Sequence, residues 1–142
     1  MAEQIGVDQA REIIEAGIAQ AQELINDPSK VNELLQQLQE KAKELPAGAG
    51  EALSNIPLMA QMVKGYVTRE YTEVSPKVVA TLVSAFLYLV KGKDIIPDTI
   101  PVLGLVDDVA VVALAMKLNE NELAAYKAWR EANQLPEAET IA

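Results

Sequence analysis

The chain contains no cysteine and no histidine, and only 4% of its residues are aromatic. Without cysteine there is no disulfide, and cysteine usage says nothing about the redox compartment. Because histidine is missing as well, zinc sites built from Cys and His are excluded, and so is Ser-His or Cys-His nucleophilic machinery. Any bound metal would have to be a hard cation held by oxygen ligands, such as Mg²⁺, Ca²⁺ or Mn²⁺.

Apolar runs long enough to cross a bilayer are also missing. The stretch from Val78 to Val90 has 13 residues without a charge, which is about 20 Å of helix. A bilayer core is about 30 Å thick and needs some 20 apolar residues. We therefore predict no full-length transmembrane helix and expect Val78–Val90 to be buried in the domain centre. The alternative is a shallow membrane-dipping hairpin formed with the second apolar segment, Val109 to Leu118.

Positive charge is scarce, and the net charge of −9 is spread unevenly. Residues 1–56 carry −6, residues 57–118 are neutral, and residues 119–142 carry −3. An acidic chain repels phosphate backbones, so we expect no nucleic-acid binding. The first 14 residues have neither a basic n-region nor an apolar h-region, which predicts no secretory signal and a cytoplasmic location.

What is present is a composition that favours helix. Half of the 142 residues are hydrophobic, and Ala, Leu, Glu, Gln and Lys dominate outside the centre, as in helical proteins of one domain. We predict an all-α bundle of about five helices. We divide it into an N-terminal amphipathic helical hairpin (1–45), a linker (46–56), a helical core (57–132) and an acidic tail (133–142).

The hairpin prediction rests on two apolar faces at helical spacing. Asp8 is the expected N-cap of the first helix, Ser29 caps the second, and a third helix is expected to start near Pro57. The hairpin either packs on the rest of the domain or projects as an arm towards a partner. The residues of the two faces are Ile13, Ile14, Gly17, Ile18, Ala21, Leu24 and Ile25, then Val31, Leu34, Leu35, Leu38, Ala42 and Leu45.

The segment between the two apolar stretches is the candidate site. It contains a tandem Asp-x-Ile-Pro repeat, followed by a glycine and two adjacent aspartates. The simplest interpretation is structural, since aspartates cap short turns, prolines stop them from growing, and glycine redirects the chain. The candidate residues are Asp94, Pro97, Asp98, Pro101, Gly104, Asp107 and Asp108.

A functional interpretation has Asp94, Asp98, Asp107 and Asp108 converge. Four carboxylates close together repel one another, and a hard divalent cation such as Mg²⁺ or Ca²⁺ would neutralise them. The spacing lacks the pattern of an EF-hand loop. Our primary expectation is therefore no cofactor, with this metal site as the alternative. Nothing in the sequence identifies a nucleophile or a substrate pocket, which favours a non-enzymatic role.

The same segment carries a resemblance. Tyr88-Leu89 followed by Lys93 to Asp108 resembles the signature of the YkvA-like family, a bacterial and archaeal domain of unknown function. The pattern is P-x-D-x-x-P-D-x-x-P-x-x-G-x-x-D-D between two apolar helices, and every Asp, Pro and Gly after the first proline matches. The chain departs from it at Lys91 to Lys93, where the family often has Ser-Pro. The resemblance covers about residues 57–132.

Membership implies no assigned reaction, and members are often labelled as membrane-associated because of their apolar segments. The leading interpretation is a non-enzymatic helical interaction module that binds a protein partner or a second copy of itself. A membrane-peripheral protein and a divalent-cation site at the aspartates remain the alternatives.

Overall fold

The computed structural model describes residues 2–43, 51–91, 108–133 and 135. These residues form six helices and no strand, which confirms the all-α class with one helix more than the five expected. The helices are α1 (Ala2–Leu24), α2 (Pro28–Ala42), α3 (Glu51–Thr68), α4 (Pro76–Lys91), α5 (Asp108–Leu118) and α6 (Glu120–Ala132).

Helix α4 is the centre of the structure. Every side chain from Val79 to Leu89 is buried, and α1, α5, α2 and α3 all pack against this helix. It begins at Pro76, and the hydroxyl of the preceding Ser75 accepts a hydrogen bond from the amide of Val78 at 3.3 Å. The expectation of a buried central helix is confirmed.

Helix α1 crosses α4 at close range through a glycine. Gly17 faces Ser84, and there is no room for a Cβ at Gly17 because it would overlap the Ser84 hydroxyl. That hydroxyl donates a buried hydrogen bond to the backbone carbonyl of Ile14 at 2.6 Å. A glycine at the crossing therefore lets the two helices approach and lets a polar side chain be satisfied between them.

The N-terminal helices share the core of the rest of the chain. Ile13 of α1 and Leu35 of α2 belong to the same buried cluster as Phe86, Val112 and Tyr126. Each of the two helices contacts α4 more than it contacts the other. The packed arrangement is confirmed and the projecting arm was wrong. Of the predicted linker (46–56), residues 51–56 belong to α3, and the rest lies outside the described residues. The division of the chain into an N-terminal hairpin and a core stays a prediction.

Three helix starts differ from the predictions. Asp8 lies inside α1, which begins at Ala2 and not after an N-cap at Asp8. The N-cap of α2 is Asp27, not Ser29, because Pro28 occupies the first helical position. Pro57 lies inside α3. A proline inside a helix removes one backbone hydrogen bond. Helix α3 nevertheless continues past Pro57 to Thr68.

Helix α6 is attached through an aromatic cluster of Tyr71, Tyr126 and Trp129. The ring of Tyr71 lies 4.8 Å from Tyr126 in an edge-on arrangement and 5.0 Å from Trp129. Gly65 of α3 brings the helix close to this cluster, since a Cβ there would lie 3.2 Å from the Cβ of Tyr71. Aromatic pairs in such geometries stabilise packing beyond the area they bury.

Candidate functional site: a cationic groove at the helix ends

The residues predicted as the site lie almost entirely outside the described part of the chain. Asp108 is the first residue of α5, and the structure describes none of the others: Asp94, Pro97, Asp98, Pro101, Gly104 and Asp107. Whether the aspartates converge on an ion or cap turns stays a prediction. Among the described residues no group of three or more potential metal-ligating side chains occurs.

The described residues instead contain a groove, which we call the Arg69 groove. It consists of two adjoining cavities of about 600 Å³ and 170 Å³ that share Pro28 and Val67. It lies where the α1–α2 turn meets the end of α3 and the connection to α4. The larger cavity is lined by Ile25, Asn26, Pro28, Tyr66, Val67, Arg69, Thr72, Val74 and Pro76, and the smaller by Pro28, Val31, Asn32, Leu35, Lys64, Val67 and Thr68.

The α1–α2 side of the groove is fixed by an N-cap. The Asp27 carboxylate accepts hydrogen bonds from the Ser29 hydroxyl at 2.8 Å and from the amides of Ser29 and Lys30 at 3.1 and 3.4 Å. The hydroxyl of Ser29 is the main reason why the pKa of Asp27 lies below its ordinary value. The carboxylate is therefore ionised and engaged by the start of α2, which holds Pro28 in the groove wall.

The α3 side is built by a Schellman motif with an arginine where glycine is usual. The carbonyl of Gly65 accepts from the amide of Glu70 at 2.8 Å, and the carbonyl of Tyr66 accepts from the amide of Arg69 at 3.2 Å. Arg69 has a φ of 67° and is the single non-glycine residue with positive φ among the described residues. A side chain in this region costs roughly 1–2 kcal/mol, which glycine avoids.

The charge of the groove is opposite to that of the protein. Among the described residues, Lys64 and Arg69 are the only charged ones that line it, and no carboxylate does, although the chain carries a net charge of −9. Both cations are exposed, and within the described residues neither side chain forms an ion pair. The lining of the groove therefore carries two positive charges that form no ion pair within the described residues, and Glu70 and Glu73 are exposed beside it.

The chemistry of the lining suits binding. Tyr66, Thr68 and Thr72 supply hydroxyl groups, but the lining that the structure describes contains no carboxylate to act as a general base. The Thr68 hydroxyl already donates to the carbonyl of Lys64 at 2.9 Å. A threonine without a base to deprotonate it is a poor nucleophile. The smaller cavity has mainly apolar walls and the larger one a mainly polar lining. Together with the two cations, they can hold a ligand that has apolar and anionic groups.

Sequence reasoning missed this groove. Its walls come from residues 25–35 and 64–76, which are brought together only by the packing of α2 on α3 and α4. The one local signal is that α3 ends at Thr68-Arg69-Glu70 without a glycine or a proline. A helix that stops without either residue needs a residue of another type in the left-handed region or an irregular end.

Comparison with known proteins places the chain in a family. The model of a family described as "Protein of unknown function (DUF1232)" matches residues 78–114, which include most of α4, the Asp-Pro segment and part of α5. Every residue that lines the Arg69 groove precedes this match. No solved structure matches the chain at a significant level.

A curated relative extends the similarity beyond this segment. The chain is 36% identical over 80 residues to a protein of Bacillus subtilis (strain 168) named "Uncharacterized membrane protein YkvA", and the alignment covers 56% of this chain and 76% of the relative. In the part of the chain that the structure describes, we find no helix long and apolar enough to span a bilayer. The resemblance seen in the sequence is thereby confirmed: the chain belongs to the YkvA-like family of proteins of unknown function.

Proposed function

We propose that this protein is a non-enzymatic helical interaction module that binds a protein partner through the Arg69 groove. The observation that carries the proposal is the charge of the groove. Among the described residues, two exposed cations and no carboxylate line a cavity of about 600 Å³ and its smaller neighbour, on a chain with a net charge of −9. A local reversal of charge of this kind favours a specific complementary partner and speeds its association.

Burial supports binding at the groove rather than through the apolar helix α4. Each side chain from Val79 to Leu89 is already enclosed by α1, α2, α3 and α5. To expose that surface to a partner, the core would have to open, which costs much of the free energy of unfolding. The groove offers concave surface without any such rearrangement.

The test is site-specific photocrosslinking in cells. A photoreactive phenylalanine analogue replaces Thr72 or Asn32, both of which line the groove, and in two control variants it replaces Gln37 or Lys127, which are exposed outside it. We expect one protein adduct of the same mass from both groove positions and from neither control. Equal labelling from all four positions, or no protein adduct from the groove, contradicts the proposal. An adduct of twice the protein's own mass identifies a second copy as the partner.

The name of the relative favours a second candidate, peripheral membrane association. Because the middle of α4 is buried on all sides, we propose that any such contact uses the protein surface while the helical core stays folded. The net charge of −9 opposes approach to anionic lipids. Co-sedimentation with vesicles of neutral and of anionic phospholipid tests this candidate. Recovery of the protein solely in the supernatant with both vesicle types contradicts it.

The cytoplasmic location and the cation site at Asp94, Asp98, Asp107 and Asp108 stand as further proposals. Fractionation of cells into soluble and membrane fractions tests the first. Titration of metal-free protein with divalent cations tests the second. Neither result bears on the groove, so the binding proposal is judged separately.

A further inference from the structure

We propose that the partner presents a short acidic amphipathic peptide segment to the Arg69 groove. Lys64 and Arg69 would contact its carboxylates, and the half-buried Val67 would contact its apolar side chains. This inference rests on the proposed function and specifies the chemistry of the ligand. The residues that line the groove precede the segment matched by the family model.

Within the described residues, Lys64 and Arg69 are in no ion pair that an incoming anion would have to displace. The arginine offers a planar fork that can hold one carboxylate with two hydrogen bonds, while the lysine supplies a point charge. A segment with two or more carboxylates can therefore use both.

The smaller cavity has mainly apolar walls, whereas the lining of the larger cavity is mainly polar. Val31 and Leu35 are fully buried beneath the smaller cavity, and Val74 is 7% exposed beside the larger one. Val67 separates the two cavities and is half-buried. The volume of the larger cavity, about 600 Å³, falls within the range of about 300–1,000 Å³ found for ligand pockets. A ligand that places apolar side chains in the smaller cavity and carboxylates at Lys64 and Arg69 is an amphipathic segment.

The charges around the groove limit how acidic the ligand is. Glu70 and Glu73 are exposed on the connection that carries Arg69, and the carboxylate of Asp27 is engaged by the start of α2. A long polyanion or an anionic bilayer would meet these carboxylates and the remaining surface of a chain with a net charge of −9. A short segment confined to the groove meets the two cations instead, so we favour a peptide over a nucleic acid or a lipid surface.

The backbone of Arg69 gives the inference a sharp test. Its φ is 67°, and this is the position at which a Schellman motif accepts glycine without strain. Arg69→Gly should therefore leave the protein as stable as the wild type or more stable, while it removes the guanidinium. Loss of binding in a variant that folds at least as well separates recognition from folding.

The probe is a short synthetic peptide of alternating Leu and Glu pairs, compared with the same peptide in which Gln replaces Glu. Amide chemical shifts of the full chain are followed by NMR while the peptide is added. We expect saturable shifts at Asn32, Arg69 and Thr72 with the Glu peptide alone. The shifts should weaken as the ionic strength rises from about 0.05 M to about 0.5 M, because exposed charges are screened.

The variants decide the outcome. Arg69→Gly should weaken peptide binding about tenfold or more, and Lys64→Gln should weaken it by a smaller factor. Lys127→Gln removes an exposed cation on α6 and should change nothing. If Arg69→Gly does not fold, Arg69→Gln, which keeps a side chain at this position, takes its place.

Opposing results overturn the inference. Equal affinity of wild type and Arg69→Gly, equal binding of the Gln peptide, or tighter Arg69-dependent binding to anionic vesicles than to the peptide would each do so. The proposed function is judged by the crosslinking experiment. A groove-specific protein adduct without acidic-peptide binding supports the interaction module and contradicts the acidic ligand. Peptide binding without an adduct contradicts the proposed protein partner and leaves only the affinity of the groove for acidic peptides.

Discussion

Helices α4 and α5 are both almost wholly apolar in sequence, yet they are buried to different extents. In α4 every side chain from Val79 to Leu89 is buried. Over the described side chains of α5, residues 111–118, three are buried, but Ala113, Leu114 and Met116 are only half-buried, and Leu118 is 46% exposed. The difference lies in the neighbouring helices. Helix α4 is enclosed by α1, α2, α3 and α5, whereas α5 packs against α4, α1 and α3 and makes little contact with α6.

The comparison shows what hydropathy reports and what it leaves open. Apolar composition indicates that a helix gains free energy by leaving water, but it does not say how many helices surround it. Burial in protein and burial in lipid both supply that gain. In this structure α4 obtains it entirely within the protein, because the N-terminal helices α1 and α2 cover this helix.

The largest expected effect is a difference between core truncations in the two helices. Phe86→Ala in α4 removes a fully buried ring and should lower the free energy of unfolding by about 3–5 kcal/mol. Met116→Ala in α5 removes a half-buried side chain and should cost about 1 kcal/mol. Urea denaturation followed by circular dichroism measures both. Equal losses would mean that α5 is as enclosed as α4 in solution.

A smaller effect is expected where α1 covers α4. Gly17→Ala places a methyl group against the Ser84 hydroxyl, and such overpacking should cost about 1–3 kcal/mol. The remaining separation from the Ser84 Cβ is 3.4 Å, so Gly17→Ala combined with Ser84→Ala should recover most of that loss. A double-mutant cycle by urea denaturation gives the coupling energy. Strict additivity of the two substitutions would show that the helices do not meet at this crossing.

Alkaline pH should test the packing of α6 rather than that of α4. Burial is the main cause that raises the pKa of Tyr71 above 10.0, with Glu73 and Tyr126 adding to it. Between the ordinary pKa and the raised one, the unfolded chain releases this proton and the folded chain keeps it, so unfolding is favoured. The stability that the protonated Tyr71 phenol contributes to the fold is complete below pH 10.0 and is lost as the pH rises through the pKa of Tyr71 in the folded protein.

Tyr71→Phe should therefore reduce the fall in melting temperature between about pH 8 and about pH 11. Tyr66→Phe is the control, because it removes a tyrosine of α3 and leaves Tyr71 in place. Differential scanning fluorimetry across this range compares the two variants with the wild type. An unchanged alkaline profile in Tyr71→Phe would contradict the burial of this phenol in the aromatic cluster.

The core was predictable because burial follows apolar spacing. Val31, Leu34, Leu35 and Leu38 were assigned to one face of α2 and are all buried. Helix starts were less predictable, since Asp27 and Ser29 are both good caps, and the proline between them decides in favour of Asp27. No local pattern indicated that α3 begins six residues ahead of Pro57.

The site was less predictable than the core. The Arg69 groove depends on contacts between segments that are distant in sequence, and an arginine in the left-handed region has no sequence pattern of its own. The aspartates of the Asp-Pro segment were found from sequence, but their geometry lies almost entirely outside the described residues. Local patterns thus find residues with local roles, whereas a groove assembled by tertiary packing requires the fold.

The smallest expected effect concerns the Asp-Pro segment that connects α4 to α5. If Asp94, Asp98, Asp107 and Asp108 act as caps, EDTA-stripped protein should show no saturable rise in melting temperature with millimolar Mg²⁺, Ca²⁺ or Mn²⁺. A bound ion would instead stabilise the native state by mass action.

The double variant Asp98→Asn with Asp107→Asn distinguishes the two roles further. Under capping it should lose less than about 1 kcal/mol per site, because asparagine is itself a good cap. Under ion binding the metal-free variant should be more stable than the wild type, since two repelling charges are removed, and its affinity for the ion should fall.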